Sequence, residues 1–185
     1  MSDLVAAVPK LRDSVVAILR IRLTRPETVK KGKARPAQFE AALGGTGFCV
    51  VRDRYVVTAF HVLNGGGARN PKDRFYVFVV PENGEHAFHF PVTGFAVERP
   101  DVDIAILELG PCAKAGVSLP ATPVSFTPQP DGTRVITLGF PAPEITGLNL
   151  DAGGNFIGGQ FFLKSHANEG ICRRSTLSPA CSSTS

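Results

Sequence analysis

Two side chains in this sequence have the types and settings that acid–base chemistry requires, His61 and Asp103. His61 follows the apolar run Tyr55–Thr58 and the small Ala59, so it stands at the end of a predicted strand, where a side chain can point into a cleft. Asp103 precedes the run 104–109, which is apolar on both faces and therefore predicts a buried strand. A carboxylate there needs a partner. A histidine N–H is suitable, because an aspartate so placed fixes the tautomer of the imidazole.

Each residue also has a plainer interpretation, His61 as a structural residue and Asp103 as a strand-end cap. The motifs around them are more specific together: G-T-G-F at 45–48, V-V-T-A-F-H-V at 56–62 and D-I-A-I-L at 103–107. In this order they resemble the trypsin-like (chymotrypsin-fold) serine peptidases, especially the bacterial cytosolic and HtrA-like branches. The resemblance implies that His61 is the general base and Asp103 the carboxylate that orients it, with the nucleophilic serine last in the chain.

The strand pattern agrees with that resemblance. Apolar runs between turn residues predict six strands in the first part of the chain, at 14–22, 44–51, 55–58, 74–80, 87–97 and 103–109. Six antiparallel strands can close a small barrel and leave no free edge. The resemblance implies an all-β, chymotrypsin-like double β-barrel. We expect its first barrel to be complete and its second barrel to be incomplete.

The predicted domain organisation has four parts. Residues 1–110 hold a short N-terminal helix and the first barrel, and residues 111–130, with five prolines, form a linker. Residues 131–171 form a partial second barrel with a strand at 133–141, a glycine-rich loop at 147–159 and one or two strands in 161–171. Residues 172–185 contain a single large apolar residue, Leu177, which predicts a disordered tail. The abrupt change of composition there is typical of a shifted reading frame or a broken gene.

The nucleophile is the point at which the family pattern breaks off. Trypsin-like peptidases place their serine in a G-x-S-G-G-P turn whose backbone N–H groups form the oxyanion hole. None of the candidate serines has a glycine beside it: Ser165, Ser175, Ser178, Ser182, Ser183 and Ser185. Cys181 is a weaker candidate, since its neighbours build no such turn. We therefore expect a serine endopeptidase-family domain that is inactive as given. The alternative is a non-catalytic peptide- or protein-binding module on the same fold.

Composition indicates the setting of the domain. The 185 residues carry a net charge of +4, and residues 1–11 have no long apolar run, so neither a signal peptide nor a membrane span is predicted. The four cysteines show no disulfide framework, which is typical of a reducing compartment. These features favour a cytoplasmic location.

Charge and residue spacing also indicate which classes of partner to expect. The basic run at 20–35 favours a solvated hairpin loop over an anionic partner. His86 and His89 lie three apart, on opposite faces of a strand, so they do not predict a metal site. We expect a peptide or protein ligand, no metal or other cofactor, no nucleic acid and no membrane. Unpaired strand edges in the second half would allow self-association.

Overall fold

Short runs of β-branched and aromatic residues between Gly, Pro and Asp turns make this chain mostly β-structure. A computed structural model describes residues 3–30, 33–65, 70–79, 87–141 and 144–172, and these ranges hold α1 (Asp3–Arg12), α2 (Phe60–Asn64) and a short 3-10 helix (Pro100–Val102). Their strands are β1 (Val15–Arg25), β2 (Thr28–Lys30), β3 (Lys33–Arg35), β4 (Gln38–Val51), β5 (Tyr55–Thr58), β6 (Arg74–Val79), β7 (Phe88–Arg99), β8 (Ile104–Leu109), β9 (Arg134–Gly139), β10 (Glu144–Leu150), β11 (Phe156–Phe162) and β12 (His166–Ile171).

The six strands predicted for the first part of the chain close a barrel in the order β1-β4-β5-β8-β7-β6. All neighbours are antiparallel, and β6 pairs back onto β1, for example Phe78 opposite Ala17, to complete the ring. Two strands are longer than predicted, because β1 and β4 stay paired as far as Arg25 and Gln38. β7 is one strand despite Pro91 and Gly94, with a register shift at Gly94. The closed first barrel is therefore confirmed.

β1 and β6 are buried on both faces, which is why they are apolar almost without interruption. One face of each strand points into the barrel with Val16, Ile18 and Val77. The other face, with Leu19 and Phe78, packs against the second half of the chain. Both faces of these two strands are therefore shielded from water.

The second half consists of two separate antiparallel pairs in the described residues, β9 with β12 and β10 with β11. The predicted glycine-rich loop at 147–159 is wrong, because this segment forms the end of β10, a turn and the start of β11. Its glycines serve close strand approach: a Cβ on Gly159 would lie 2.7 Å from the carbonyl oxygen of Gly147. Within the described residues, these two pairs form an incomplete second barrel.

The proline-rich segment 111–130 contains neither helix nor strand, yet it packs against the barrel. Leu119 is completely buried in the barrel core. Asp53, in the turn between β4 and β5, accepts hydrogen bonds from the Leu119 N–H at 2.5 Å and the Ser118 hydroxyl at 2.9 Å. The linker is thus fastened to the first barrel. The exact domain boundary stays a prediction.

Two further predictions concern the ends of the chain and the basic run. The N-terminal helix is present as α1, and no helix among the described residues is long and apolar enough to span a membrane. The basic run contains a small hairpin, β2 paired with β3, at the far end of the β1–β4 ribbon. The predicted disordered tail falls almost wholly outside the described residues.

Candidate active site

His61 is presented by α2, which begins directly after β5. Val62 and Leu63 are buried in the barrel core and fix the helix on the end of the barrel. His61 lies on the opposite side, with its side chain 66 % exposed. Packing of its neighbours therefore aims the imidazole outward, toward solvent.

The glycines of the G-G-T-G run let β4 approach α2 and β5. A Cβ on Gly44 would lie 2.5 Å from the Val62 carbonyl oxygen, and one on Gly47 would lie 2.7 Å from Cγ1 of Val56. A side chain at Gly44 would push against the helix that carries His61, and one at Gly47 would push β5 away from β4. The sequence signal for this role was present in the G-T-G-F motif, but periodicity alone could not assign it.

Asp103 reaches α2 from the 3-10 helix that precedes β8. It stands at the C-terminal cap with φ 54° and ψ 42°, the left-handed region that few residues other than Gly, Asn and Asp adopt. This reversal of the chain directs both its carbonyl and its carboxylate toward the start of α2. The Asp103 carbonyl oxygen accepts the Phe60 N–H at 3.1 Å.

Each carboxylate oxygen of Asp103 has its own contact with His61. Oδ1 accepts the backbone N–H of His61 at 2.9 Å, and Oδ2 lies 2.7 Å from its ring Nδ1. The predicted approach of the two side chains is confirmed. The contact between Oδ1 and the backbone was not predicted, and it ties the carboxylate to the helix as well as to the ring.

These contacts hold the pKa of Asp103 below its ordinary value, first through the His61 backbone N–H and then through the His61 ring. Asp103 is therefore an ionised acceptor at neutral pH, so Nδ1 of a neutral His61 ring carries the proton that it donates. The lone pair then belongs to Nε2 on the other edge of the ring. Such a ring can accept a proton from a group placed against Nε2.

The predicted burial of Asp103 is wrong, because its side chain is 52 % exposed. β8 is apolar on both faces, but only Ala105, Leu107 and Leu109 are buried, while Ile104 is 42 % exposed. The second half packs on the outer faces of β1 and β6 rather than on β8. Asp103 therefore meets its need for a partner at the surface.

Of the candidate nucleophiles, the structure describes only Ser165. Ser165 lies between β11 and β12 and is half-buried. Ser175, Ser178, Cys181, Ser182, Ser183 and Ser185 lie outside the described residues. Within the part of the chain that the structure describes, no hydroxyl group hydrogen-bonds to the His61 ring.

His89 packs as a structural residue. Its ring lies 4.8 Å, centroid to centroid, from Phe156 and 5.9 Å from both Tyr76 and Phe78, and burial lowers its pKa. His86 falls outside the described residues. Across the described ranges, His, Cys, Asp and Glu side chains form no group of three or more that could hold a metal ion.

A family model assigns the chain to a protein family. The family model of the trypsin-like peptidase domain matches residues 45–177, a stretch that contains both His61 and Asp103. The chain belongs to this family. The resemblance indicated by the three motifs is therefore confirmed. No curated protein sequence matches the chain.

The solved structure of AlgW supports the fold of this trypsin-like domain. The HtrA-type protease AlgW, determined with a decapeptide, is 14 % identical with a TM-score of 0.53, and the match covers 96 % of this chain and 48 % of AlgW. The MamO protease domain from Magnetospirillum magneticum also matches, at 14 % identity and a TM-score of 0.47, over 87 % of this chain and 60 % of MamO. Deg5 matches at 18 % identity and a TM-score of 0.47, over 89 % of this chain and 72 % of Deg5. The chain thus spans about half the length of AlgW. The fold is chymotrypsin-like, with a closed first barrel and an incomplete second one.

Proposed function

We propose that this domain engages peptides through a trypsin-type site in which His61 is the general base and Asp103 orients it. We further propose that these 185 residues alone do not hydrolyse the peptide bond. The observation that carries the assignment is the 2.7 Å hydrogen bond between Nδ1 of His61 and Oδ2 of Asp103.

The pair would work as follows in acyl transfer. A nucleophile lying against Nε2 transfers its proton there as it attacks the scissile carbonyl, and His61 becomes an imidazolium. Asp103 stabilises that cation through Oδ2, while its bond from Oδ1 to the His61 backbone N–H keeps the carboxylate in place. The protonated ring then returns the proton to the leaving amine.

The proposed inactivity rests on the sequence around each serine. None of the six candidates has an adjacent glycine, so none has the turn that supplies backbone donors to an oxyanion. Loss of the serine alone from a working triad lowers turnover by a factor on the order of 10⁶. Loss of oxyanion donors removes roughly another 10²–10³. His61 and Asp103 by themselves would then give no measurable hydrolysis.

A peptide-binding module without catalysis is the second candidate. Val102 and Ile104, on either side of Asp103, are both exposed, so the His61 ring lies beside a small apolar surface. Apolar surface of this kind next to polar groups suits an extended peptide. The AlgW structure is described with a decapeptide, which supports the same ligand class.

The test is activity-based labelling of the purified chain with a fluorophosphonate probe, together with turnover of casein and a small ester. We expect no labelling and no turnover. His166→Ala is the matched control for His61→Ala, because His166 is also an exposed histidine. Stoichiometric labelling of a serine that His61→Ala abolishes and His166→Ala preserves would refute the proposed inactivity and support the role of His61.

Peptide binding is tested separately with fluorescein-labelled casein fragments. Val102→Asp places a charge on the apolar surface beside the His61–Asp103 pair, so we expect weaker binding. Val124→Asp, a change at an exposed valine of the linker, should leave binding unchanged. Equal affinities for both variants would exclude the surface at Val102 as the peptide site.

A further inference from the structure

A groove of about 500 Å³ lies where the end of the β1–β4 ribbon meets segment 71–74 and the turn that precedes β11. It takes no part in the site of His61 and Asp103. Its lining contains the apolar Ile21, Leu23 and Phe39, which are buried or half-buried and are called the floor below. It also contains Lys72, which is exposed, and Arg74, which together are called the rim. An apolar floor with a few polar groups at the rim is the usual composition of a binding groove.

The rim is positively charged, because its acidic groups are largely compensated. Asp73 lines the groove, but its carboxylate is fully buried and accepts the Arg22 guanidinium in a bidentate contact, with Nη2 2.6 Å from Oδ2. Glu27 is the other acidic residue of the lining, which also contains the two basic residues Lys72 and Arg74. Arg74 donates to the Gly153 carbonyl oxygen across the groove, and its charge is partly balanced by Asp151, whose pKa it helps to lower.

The basic hairpin adds to this charge. Pro26, Glu27 and Ala37, which line the groove, lie in the same ribbon as β2 and β3. The sequence from 20 to 35 contains seven Lys or Arg residues and one Glu, and one of the seven, Arg22, is the partner of Asp73. Arg25, Lys33 and Arg35 are exposed. Exposed like charges on one hairpin repel each other, and an anionic partner within roughly 10 Å would relieve that repulsion.

An apolar floor beside a cationic rim suits some classes of anionic partner better than others. A nucleic acid would contact the cations through phosphates and would leave the apolar floor unused. A bilayer surface is flat and cannot follow a concave groove. An acidic polypeptide segment uses both features, since it can place an apolar side chain against Leu23 and Phe39 and carboxylates near Lys72 and the hairpin. Charge complementarity of this kind gives specificity and faster association.

We infer that this groove, together with the basic hairpin, binds an acidic segment of a partner polypeptide with apolar side chains among its carboxylates. The inference goes beyond the proposed function and does not depend on it, because no residue of the groove belongs to the His61–Asp103 pair.

The probe for this inference is a fluorescein-labelled dodecapeptide that alternates Glu with Leu. Its binding to the full chain is measured by fluorescence anisotropy at low salt. Its twin with Gln in place of Glu should bind at least about tenfold more weakly, because the charge complementarity is lost. Arg35→Glu/Lys72→Glu should weaken binding of the acidic peptide by about tenfold. The matched control, Arg52→Glu/Lys164→Glu, changes the net charge equally at exposed sites elsewhere and should change the affinity less than about twofold.

A second variant isolates the groove from the charges. Ala37 is half-buried in the lining, so Ala37→Trp fills the groove and keeps every charge, and it should also weaken peptide binding about tenfold. Unchanged affinity in Ala37→Trp, with the native thermal melt retained, would overturn the inference. So would equal losses in both charge-reversal variants, or no saturation by about 1 mM peptide. Tighter binding of a single-stranded DNA of about 20 nucleotides, or of phosphatidylserine vesicles, would assign the charge to another partner and overturn it as well.

Discussion

The first barrel and the second half of this chain are built from similar short strands and reach different degrees of closure. In the first barrel every strand has two neighbours, and its core holds fully buried side chains such as Phe90 and Leu107. In the described second half each strand has one neighbour, and every residue of β12 is exposed. Closure therefore decides how much apolar surface a strand can bury.

The position of the candidate site follows from that difference. His61 and Asp103 both stand at the end of the closed barrel, where buried neighbours fix α2 and the left-handed Asp103 fixes the approach to it. The second half contributes its contacts elsewhere, on the outer faces of β1 and β6. The closed barrel thus holds the pair together while leaving it open to solvent.

The largest expected contrast is in stability. Phe90, 1 % exposed inside the barrel, and Phe162, 58 % exposed on β11, allow the same change in both regions. Phe90→Ala should lower the free energy of unfolding by about 3–5 kcal/mol, since it opens a core cavity. Phe162→Ala should stay within about 0.5 kcal/mol of the original protein. Urea denaturation followed by circular dichroism measures both. Similar losses for the two variants would show that the second half is packed as tightly as the barrel.

A smaller effect is expected at the contact between the two regions. The Tyr76 hydroxyl accepts the buried backbone N–H of Phe156 at 3.0 Å. Tyr76→Phe leaves that N–H without a partner, at a cost of about 1–3 kcal/mol. The amide of Phe156 should then exchange its hydrogen faster, while the amides of β4 and β5 keep their protection. Tyr55→Phe, at the other tyrosine of the chain, is the control. Uniformly faster exchange would mean that the two regions open together.

Unpaired edges give a third contrast, which is expected in association. Among the described residues, β10 and β11 pair only with each other, so the ladder of each has an open side. Light scattering should detect concentration-dependent oligomers. Ile157→Lys, a charge at an exposed position of β11, should weaken association by about tenfold, or 1.4 kcal/mol, whereas Val124→Lys in the linker should not. A monodisperse monomer at all concentrations would show that the second half has protected its edges.

Much of the first barrel could be predicted from the sequence, because alternation and turn residues are local signals. The Arg52–Arg54 turn and the short β5 before His61 are examples. The order of the T-A-x-H-like and D-I-A-I-L motifs likewise predicted the contact between His61 and Asp103. The contact itself is long-range, since β5 pairs with β8 although β6 and β7 lie between them in sequence. It therefore followed from the order of the family motifs and not from a local pattern.

The predictions that were wrong or missing all concern contacts between segments that are distant in the sequence. Glycines at 147–159 indicated a loop, but Gly159 is needed because another backbone passes close to it. The apolar faces of β8 predicted a buried Asp103, but burial is decided by where the second half packs, which no single strand encodes. The bond from Oδ1 of Asp103 to the His61 backbone depends on the left-handed conformation of Asp103, for which P-D-V-D gives only a weak signal.

The smallest contrast concerns how two exposed carboxylates keep a low pKa. The pKa of Asp103 is lowered first by the backbone N–H of His61 and only then by its ring. Asp151, in the turn between β10 and β11, has its pKa lowered first by the side-chain amide of Asn155 and then by the backbone N–H of that residue. The order of the causes is therefore opposite in the two regions.

Substitution to alanine separates the two arrangements, because it removes a side chain and keeps the backbone N–H. His61→Ala should leave the pKa of Asp103 below its ordinary value, while Asn155→Ala should bring the pKa of Asp151 closer to its own. Because both folded-state pKa values are lowered, each carboxylate stabilises the folded state above the unfolded-state pKa, and that contribution is lost as the pH falls through the folded-state value. Carboxyl carbon NMR shifts recorded across acidic pH follow each group directly. If His61→Ala restores an ordinary pKa to Asp103, the imidazole rather than the helix N–H holds the carboxylate ionised, and the closed barrel alone does not preform this half of the site.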